Sequence, residues 1–311
     1  MPDYTPMTGP AFECAITPRY TDLDTWRHVN NSRIYQLHQE ARILAHIERF
    51  GADAWFSDEV RLRPLRSITQ YQQVTWYGSD VQARVQVQQC ARDTYRVRSE
   101  LSQNGQWVGT QDCVMGAFLK GQRVDLPESV YASLQIAATG TAEPLPASDY
   151  IDVARATDEW PMRQQLSARY ADLDADSQRS EAALARYMEQ ARFGAIRGMD
   201  LGGLGILIAA ADISFLHYRP GWKPVELGSG ISRMGNTSFV FTGAATSEHG
   251  LQAVANSVMV VIDQASGRPA PLTDAIREQL TKLKLEKSPC PQGRAGASGA
   301  AITWQAIRRY R

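Results

Sequence analysis

Several scarcities narrow what this sequence can do. Cysteine is scarce: four residues (Cys14, Cys90, Cys113, Cys290) show no Cys-x-x-Cys spacing and no metal-ligand pairing with the five histidines. A zinc ribbon or a disulfide framework is therefore excluded as the organising device. Cys90 and Cys113 fall in strand-like runs and can be sheet neighbours, but free buried thiols in a reducing compartment are the simpler reading. Excess charge is lacking too, because 33 Lys and Arg balance 33 Asp and Glu. No global field draws nucleic acid or an anionic membrane, which leaves only local basic clusters as phosphate sites. Long apolar runs are missing. Leu201–Leu216 is the most apolar stretch, yet it is short, glycine-rich and interrupted by Asp212, so it does not span a bilayer. Met1–Pro10 has neither the basic nor the apolar region of a signal peptide. The expectation is a soluble, cytoplasmic protein without membrane or nucleic-acid partners.

What is present is a repeat. At 311 residues and 43 % hydrophobic content, the chain is long enough for about two domains with packed cores. The segment Asp22-Leu-Asp-Thr-Trp-Arg-His-Val-Asn-Asn31 returns 150 residues later as Asp172-Leu-Asp-Ala-Asp-Ser-Gln-Arg-Ser-Glu181. Between residues 16–42 and 166–192, the seven positions Arg19, Tyr20, Asp22, Leu23, Asp24, Ala41 and Arg42 recur without a gap. Further on, at an offset of 144, Cys113-Val-Met115 matches Ser257-Val-Met259. Clustered identities of this kind indicate duplication. The copies are unequal, since His28 becomes Gln178 and the Asn pair becomes Ser180 and Glu181.

Each copy reads in the same order: a short strand (Phe12–Tyr20; Arg163–Tyr170), the turn, one helix, then four strands. Ile34, Leu37, Ala41, Leu44 and Ile47 form one helical stripe, with Asn30 or Asn31 as N-cap and Gly51 as stop. Leu184, Tyr187, Ala191 and Ala195 repeat the stripe behind Ser180. The strands are expected at Ser67–Tyr77, Val81–Cys90, Tyr95–Gln103 and Trp107–Leu119, and again at Leu207–Tyr218, Val225–Met234, Ser238–Ser247 and Ala253–Asp263. Asn104-Gly105 and His249-Gly250 suit tight hairpins. One helix on an antiparallel sheet makes each copy an α+β layer. The domains are expected at 11–138 and 151–275, joined by a Pro- and Ala-rich linker over 139–150, with a disordered tail over 286–311 whose last residues, Ile302–Arg311, suit a short helix.

Strand, Tyr-x-Asp-x-Asp-x-x-x-His-Val-Asn-Asn turn, helix with Ala-Arg, and four strands together resemble the hotdog fold. The closer resemblance is to the 4-hydroxybenzoyl-CoA-thioesterase-like acyl-CoA thioesterases, whose pattern is Asp-x-Asp-x-x-Gly-His-Val-Asn-Asn. Tyr20 to Asn31 fits at every position but the glycine, which is Arg27 here. Gly235–Phe239, Val260–Asp263 and Gly267–Leu272 also resemble the end of that domain, and the likeness covers about residues 12–275. It implies a tandem double hotdog, a pseudo-dimer within one chain with two chemically unequal sites and room for further self-association. It implies an acyl-CoA thioesterase of lipid metabolism acting on acyl-CoA, or less favourably acyl-ACP, with no metal or redox cofactor. Chain length and aromatic or aliphatic preference stay open.

By that resemblance the catalytic carboxylate falls on Asp24, as nucleophile or as base for water. His28 is placed to orient water or to protonate the leaving thiolate. Unpaired N–H groups near Val29 to Asn31, at the positive end of the helix, suit the oxyanion. For Asn30 and Asn31, helix capping and substrate contact are balanced readings, whereas Asp22 is read as a turn residue. For Asp174, flanked by Arg179 and Glu181, a degenerate site that lends a wall to the acyl pocket is favoured over a second active site working with the carboxylate alone. Arg27, beside Trp26, either contacts phosphates or narrows the entrance. Arg61, Arg63, Arg66, Arg219 and Lys223 remain ordinary surface charges or phosphate ligands, and Trp55, Trp76, Trp107 and Trp222 core packing or acyl-pocket walls. His38, His46, His217 and His249 read as packing or surface residues, and Glu40 and Glu189 as a solvated face or partners of Arg42 and Arg192. Two rivals stand against hydrolysis. A hotdog enoyl-CoA hydratase would place four residues between Asp and His and a proline after Asn, but three separate Asp24 from His28 and no proline follows. A non-catalytic acyl-CoA-binding module is the other.

Overall fold

The computed structural model describes residues 7, 9–52, 60–140, 142–167 and 169–286. Trp55, Cys290, residues 1–6 and 8, and residues 287–311, including the short helix expected at Ile302–Arg311, fall outside them. Two compact units meet at the boundary between Ala147 and Ser148.

The first unit contains β1 (Phe12–Ile16), α1 (Asn31–Phe50), β2 (Arg61–Tyr71), β3 (Val81–Cys90), β4 (Thr94–Gln103), β5 (Gln106–Leu119), β6 (Gln122–Val124) and α2 (Glu128–Ala137). Its strands lie in the order β1-β3-β4-β5-β2, with β6 on β5, and all these pairs are antiparallel. The second unit contains α3 (Tyr150–Ala156), β7 (Met162–Leu166), α4 (Glu181–Ile196), β8 (Leu204–Phe215), β9 (Val225–Met234), β10 (Ser238–Ser247), β11 (Gly250–Asp263) and α5 (Asp274–Thr281). Its order, β7-β9-β10-β11-β8, is that of the first unit strand for strand. The duplication in sequence is thus a duplication in topology.

Both long helices lie on their own sheets. Val29, Ile34, Leu37 and Ala41 pack with Val81, Val85, Val97, Leu101 and Met115 in one apolar cluster. Each fully buried aliphatic side chain there contributes roughly 1.5–3 kcal/mol by leaving water. The buried face of α1 is rotated from the expected stripe: Leu44 and Ile47 are only half-buried, while His38, Arg42 and His46 are buried at 0, 2 and 3 % exposure. Each of those three polar groups reaches one partner on the sheet. His38 Nδ1 meets Ser99 Oγ (2.7 Å), Arg42 reaches Met115 Sδ (2.9 Å), and Tyr95 Oη meets His46 Nε2 (3.1 Å). Glu40 is exposed instead, and the Arg192 guanidinium donates to Ser257 Oγ (2.9 Å).

Other departures have local causes. The first strands stop at Ile16 and Leu166 because Tyr20–Asp22 and Tyr170–Asp172 curl into single 3-10 turns. Helices α2, α3 and α5 are short and carried too little periodicity to be anticipated. Cys90 and Cys113 are not neighbours, since β4 runs between their strands. Asn104 (φ +51°) and Gly105 (φ +73°) make the tight turn between Gln103 and Gln106, but its counterpart uses Glu248 and His249, with Ser247 facing Gly250. The connection is a strap and no free linker. Thr139 and Gly140 donate backbone N–H groups to Val87 and Gln88, Arg96 holds the Glu143 carbonyl, and Arg66 holds that of Pro146 (2.8 Å). Helix α3 starts at Tyr150, inside the segment expected to connect, and the second unit runs past residue 275 through α5 to Leu285, whose N–H bonds Ile231.

Candidate active site

The two carboxylates of the first motif do different work. Asp22 is 3 % exposed and accepts the Arg19 N–H (2.8 Å) and both arms of its guanidinium (3.2 and 3.3 Å), while its carbonyl accepts the Asn30 N–H (2.8 Å). It braces the turn. Asp24 closes the next loop: its N–H donates to the His28 carbonyl (2.9 Å), and its carbonyl accepts the Arg27 N–H (3.1 Å). Oδ1 of Asp24 accepts the Trp26 N–H (2.8 Å), and Oδ2 lies 3.1 Å from His28 Nδ1. Both side chains are largely shielded, at 17 and 19 % exposure, without being sealed from solvent. A carboxylate on Nδ1 selects the tautomer protonated there and leaves Nε2 as a proton acceptor.

Arg27 departs from the family pattern at a position with φ +67°, and Ser177 repeats that backbone at φ +57°. Glycine is at home in such a left-handed conformation, and any other residue strains it by about 1–2 kcal/mol. Both copies carry that strain. The Arg27 side chain is exposed.

The start of α1 is more occupied than its sequence suggests. Asn30 is the N-cap, its Oδ1 accepting the N–H and the hydroxyl of Ser32, both at 2.7 Å. Asn30 thus caps the helix. Of the three amides expected at the oxyanion, Val29 donates to the Thr75 carbonyl and Asn30 to that of Asp22, both at 2.8 Å. Among the described residues, the Asn31 N–H has no acceptor, so it is the donor left at the positive end of the helix. Trp76, next to Thr75, stands edge-on to His28 with ring centroids 6.4 Å apart. Trp222 instead leans on Tyr170 at 6.2 Å, half exposed.

The second motif keeps the backbone and loses the dyad. The Asp174 N–H still donates to the carbonyl of residue 178 (2.8 Å), but its Oδ1 is taken by the N–H groups of Asp176 (2.9 Å) and Gln178 (3.1 Å). Arg179 is no lock on Asp174: it is 1 % exposed and points to Gln252 Oε1 (2.9 Å) and the Lys223 carbonyl. Ser180 caps α4 through the Ala183 N–H (3.1 Å), and Glu181 is buried behind it. Asp172 accepts from Arg169 (2.7 and 3.0 Å), Arg186 (3.2 Å) and Tyr187 Oη (2.8 Å). Burial alone would raise its carboxyl, yet the hydrogen bonds from Arg169 and Tyr187 hold it below the usual carboxylate range.

Arg66 is committed to the strap rather than to a ligand phosphate. A cavity of about 570 Å³ between the strap and the ends of β3 and β4 is lined by Gln88, Cys90, Arg96 and Leu145 and includes no motif residue. Among the described residues, no three His, Cys, Asp or Glu side chains converge as a metal site, and no helix is long and apolar enough to cross a membrane.

No family model and no curated protein matches the sequence. Solved structures do match in fold. The 12:0-ACP thioesterase from Umbellularia californica is similar over 81 % of this chain and 94 % of its own, at 11 % identity and a TM-score of 0.64. An acyl-ACP thioesterase from Bacteroides thetaiotaomicron is similar over 80 % of this chain and 97 % of its own, at 11 % identity and a TM-score of 0.57. The chain therefore has the hotdog fold twice over.

Proposed function

We propose that this protein is an acyl thioesterase that hydrolyses acyl-CoA or acyl-carrier-protein thioesters at Asp24 and His28. The observation that carries the reading is the Asp24 Oδ2–His28 Nδ1 contact of 3.1 Å, in the turn that leads into a helix whose Asn31 N–H has no acceptor among the described residues. His28 Nε2 takes a proton from water as its oxygen attacks the thioester carbonyl carbon. Asp24 orients the ring and stabilises the imidazolium, as the carboxylate does in a Ser-His-Asp triad. The Asn31 N–H and the helix end stabilise the oxyanion. Collapse of the tetrahedral intermediate breaks the C–S bond, and the thiolate takes the proton from His28, leaving acid and thiol. Direct attack by Asp24 is disfavoured because both of its oxygens are already engaged. The likeness to two proteins named as ACP thioesterases supports a thioester substrate. A cytoplasmic place in lipid metabolism follows from that substrate class. The second copy has no base in the position of His28.

The test is thiol release from a panel of acyl-CoA and acyl-ACP substrates. Asp24→Asn and His28→Ala should each lower kcat by about 10²- to 10⁴-fold, with Asp174→Asn close to wild type. Tight acyl-CoA binding without thiol release would favour a binding module, and enoyl-CoA hydration without thiol release would sink the thioesterase reading.

A further inference from the structure

The loop between β2 and β3 reaches the motif turn at two successive residues, at His28 and at its neighbour Val29. The Thr75 carbonyl takes the Val29 N–H (2.8 Å), and the Trp76 ring stands edge-on to His28. Thr75 is 1 % exposed. This loop is clamped from behind by one carboxamide. Gln103, the last residue of β4 and 4 % exposed, accepts the Trp76 N–H at Oε1 (2.8 Å) and donates from Nε2 to the carbonyls of Trp76 (2.7 Å) and Ser79 (2.8 Å). Its acceptor and both donors are spent on the loop, two of the three bonds on the peptide groups of Trp76 itself. A buried amide satisfied this completely is expensive to disturb and specifies one conformation of the segment it holds.

We infer that Gln103 is a positioning residue for His28, acting through Trp76. It does not touch the dyad. It fixes the Trp76 backbone, and so the ring that limits the swing of the imidazole away from Asp24. The copies support this link. Gln103 closes the β4–β5 hairpin opposite Gln106, and Ser247 closes the β10–β11 hairpin opposite Gly250. The residue in Gln103's place is thus a serine, whose hydroxyl accepts the His249 N–H within its own turn (3.2 Å). The copy that lacks the histidine also lacks the glutamine clamp, and its matching loop is held by Arg179 at the Lys223 carbonyl instead.

The inference rests on His28 being the working base, so its test reads the ring directly as well as turnover. In protein labelled with ¹⁵N-histidine, the His28 ring signals, assigned with His28→Gln, report the Nδ1 contact. Gln103→Ala and Trp76→Leu should each shift them in the same direction, with unchanged far-UV circular dichroism. Both should lower kcat by about 10- to 100-fold, as a sub-ångström misplacement does, with KM within about twofold. The double variant should be no worse than the poorer single one, because both substitutions cut one link. His28 signals unmoved in folded Gln103→Ala, or additive losses in the double variant, would overturn the inference. Should Gln103→Ala fail to fold, Trp76→Leu decides from the other end of the link. A wild type without thioesterase activity defeats the proposed function, while the His28 signal still decides the positioning.

Discussion

Tyr187 donates its hydroxyl to Asp172 at 2.8 Å in the second copy, where the first copy has Leu37 and Asp22 at the matching positions. The second copy has therefore turned its first carboxylate into an anchor between turn and helix. Tyr187→Phe should cost about 1–3 kcal/mol in urea unfolding, the penalty for an incompletely paired buried acceptor. The pH arms have opposite signs. Asp172 sits below its usual range, so its contribution is complete above about pH 4 and is lost as pH falls further. Burial and then the Asp172 hydrogen bond push the Tyr187 hydroxyl up to about 12, so its contribution is complete below about pH 10 and fades as pH rises towards 12.

The face of α1 against the sheet carries a titration of its own. Burial, followed by the nearby Arg42 charge, lowers both His38 and His46 to about 3. The unfolded chain takes up these protons near pH 6.5 while the folded chain refuses them. Stability should be complete above about pH 6.5 and fall as pH drops, by up to about 2.7 kcal/mol per unit for two protons. Chemical denaturation from pH 7.5 to 4.5 measures the slope, and His38→Gln should remove about one proton of it. An equal slope in that variant would show that His38 does not titrate in this way.

Asn30 and Asn31 can be told apart by substitution. Asn30→Ala should cost about 1 kcal/mol through the lost cap and Asn30→Ser little, whereas Asn31→Ala should leave Tm within about one degree. Calorimetry of the three variants checks this.

At Arg27, φ +67° sets the expectation. Arg27→Gly relieves the left-handed strain and should change stability by less than about 1 kcal/mol, since unfolded-chain entropy offsets the gain. Arg27→Val should be worse than wild type by about 1–2 kcal/mol, because a branched side chain fits that backbone poorly. A valine as stable as the arginine would mean that the turn adopts another conformation in solution.

Much of this was legible in the residues. The duplication, a cap at Asn30 or Asn31 and five strands with their expected bounds (Val81–Cys90, Val225–Met234, Ser238–Ser247) or within one residue (Thr94–Gln103, Gln106–Leu119) follow from repetition, alternation and turn chemistry. The Asp24–His28 pair was legible as spacing. What was not legible depends on contacts distant in sequence. Gln103 lies 27 residues from Trp76, and a glutamine at a strand end gives no sign of facing inward. His38, Arg42 and His46 interrupt an apolar pattern, so periodicity pointed to the neighbouring stripe. The left-handed backbone at Arg27 was not legible because an angle is not written in side-chain chemistry.

The buried face of the first long helix has a consequence for how the molecule comes apart. Where α1 buries His38, Arg42 and His46, the matching positions of α4 are Met188, Arg192 and Ile196. Mild acid therefore works against one half of a duplicated architecture and finds little to protonate on the same face of the other. The halves should melt out of step as acidity increases, giving a biphasic transition whose intermediate retains the copy without the dyad and has already lost the copy that carries it.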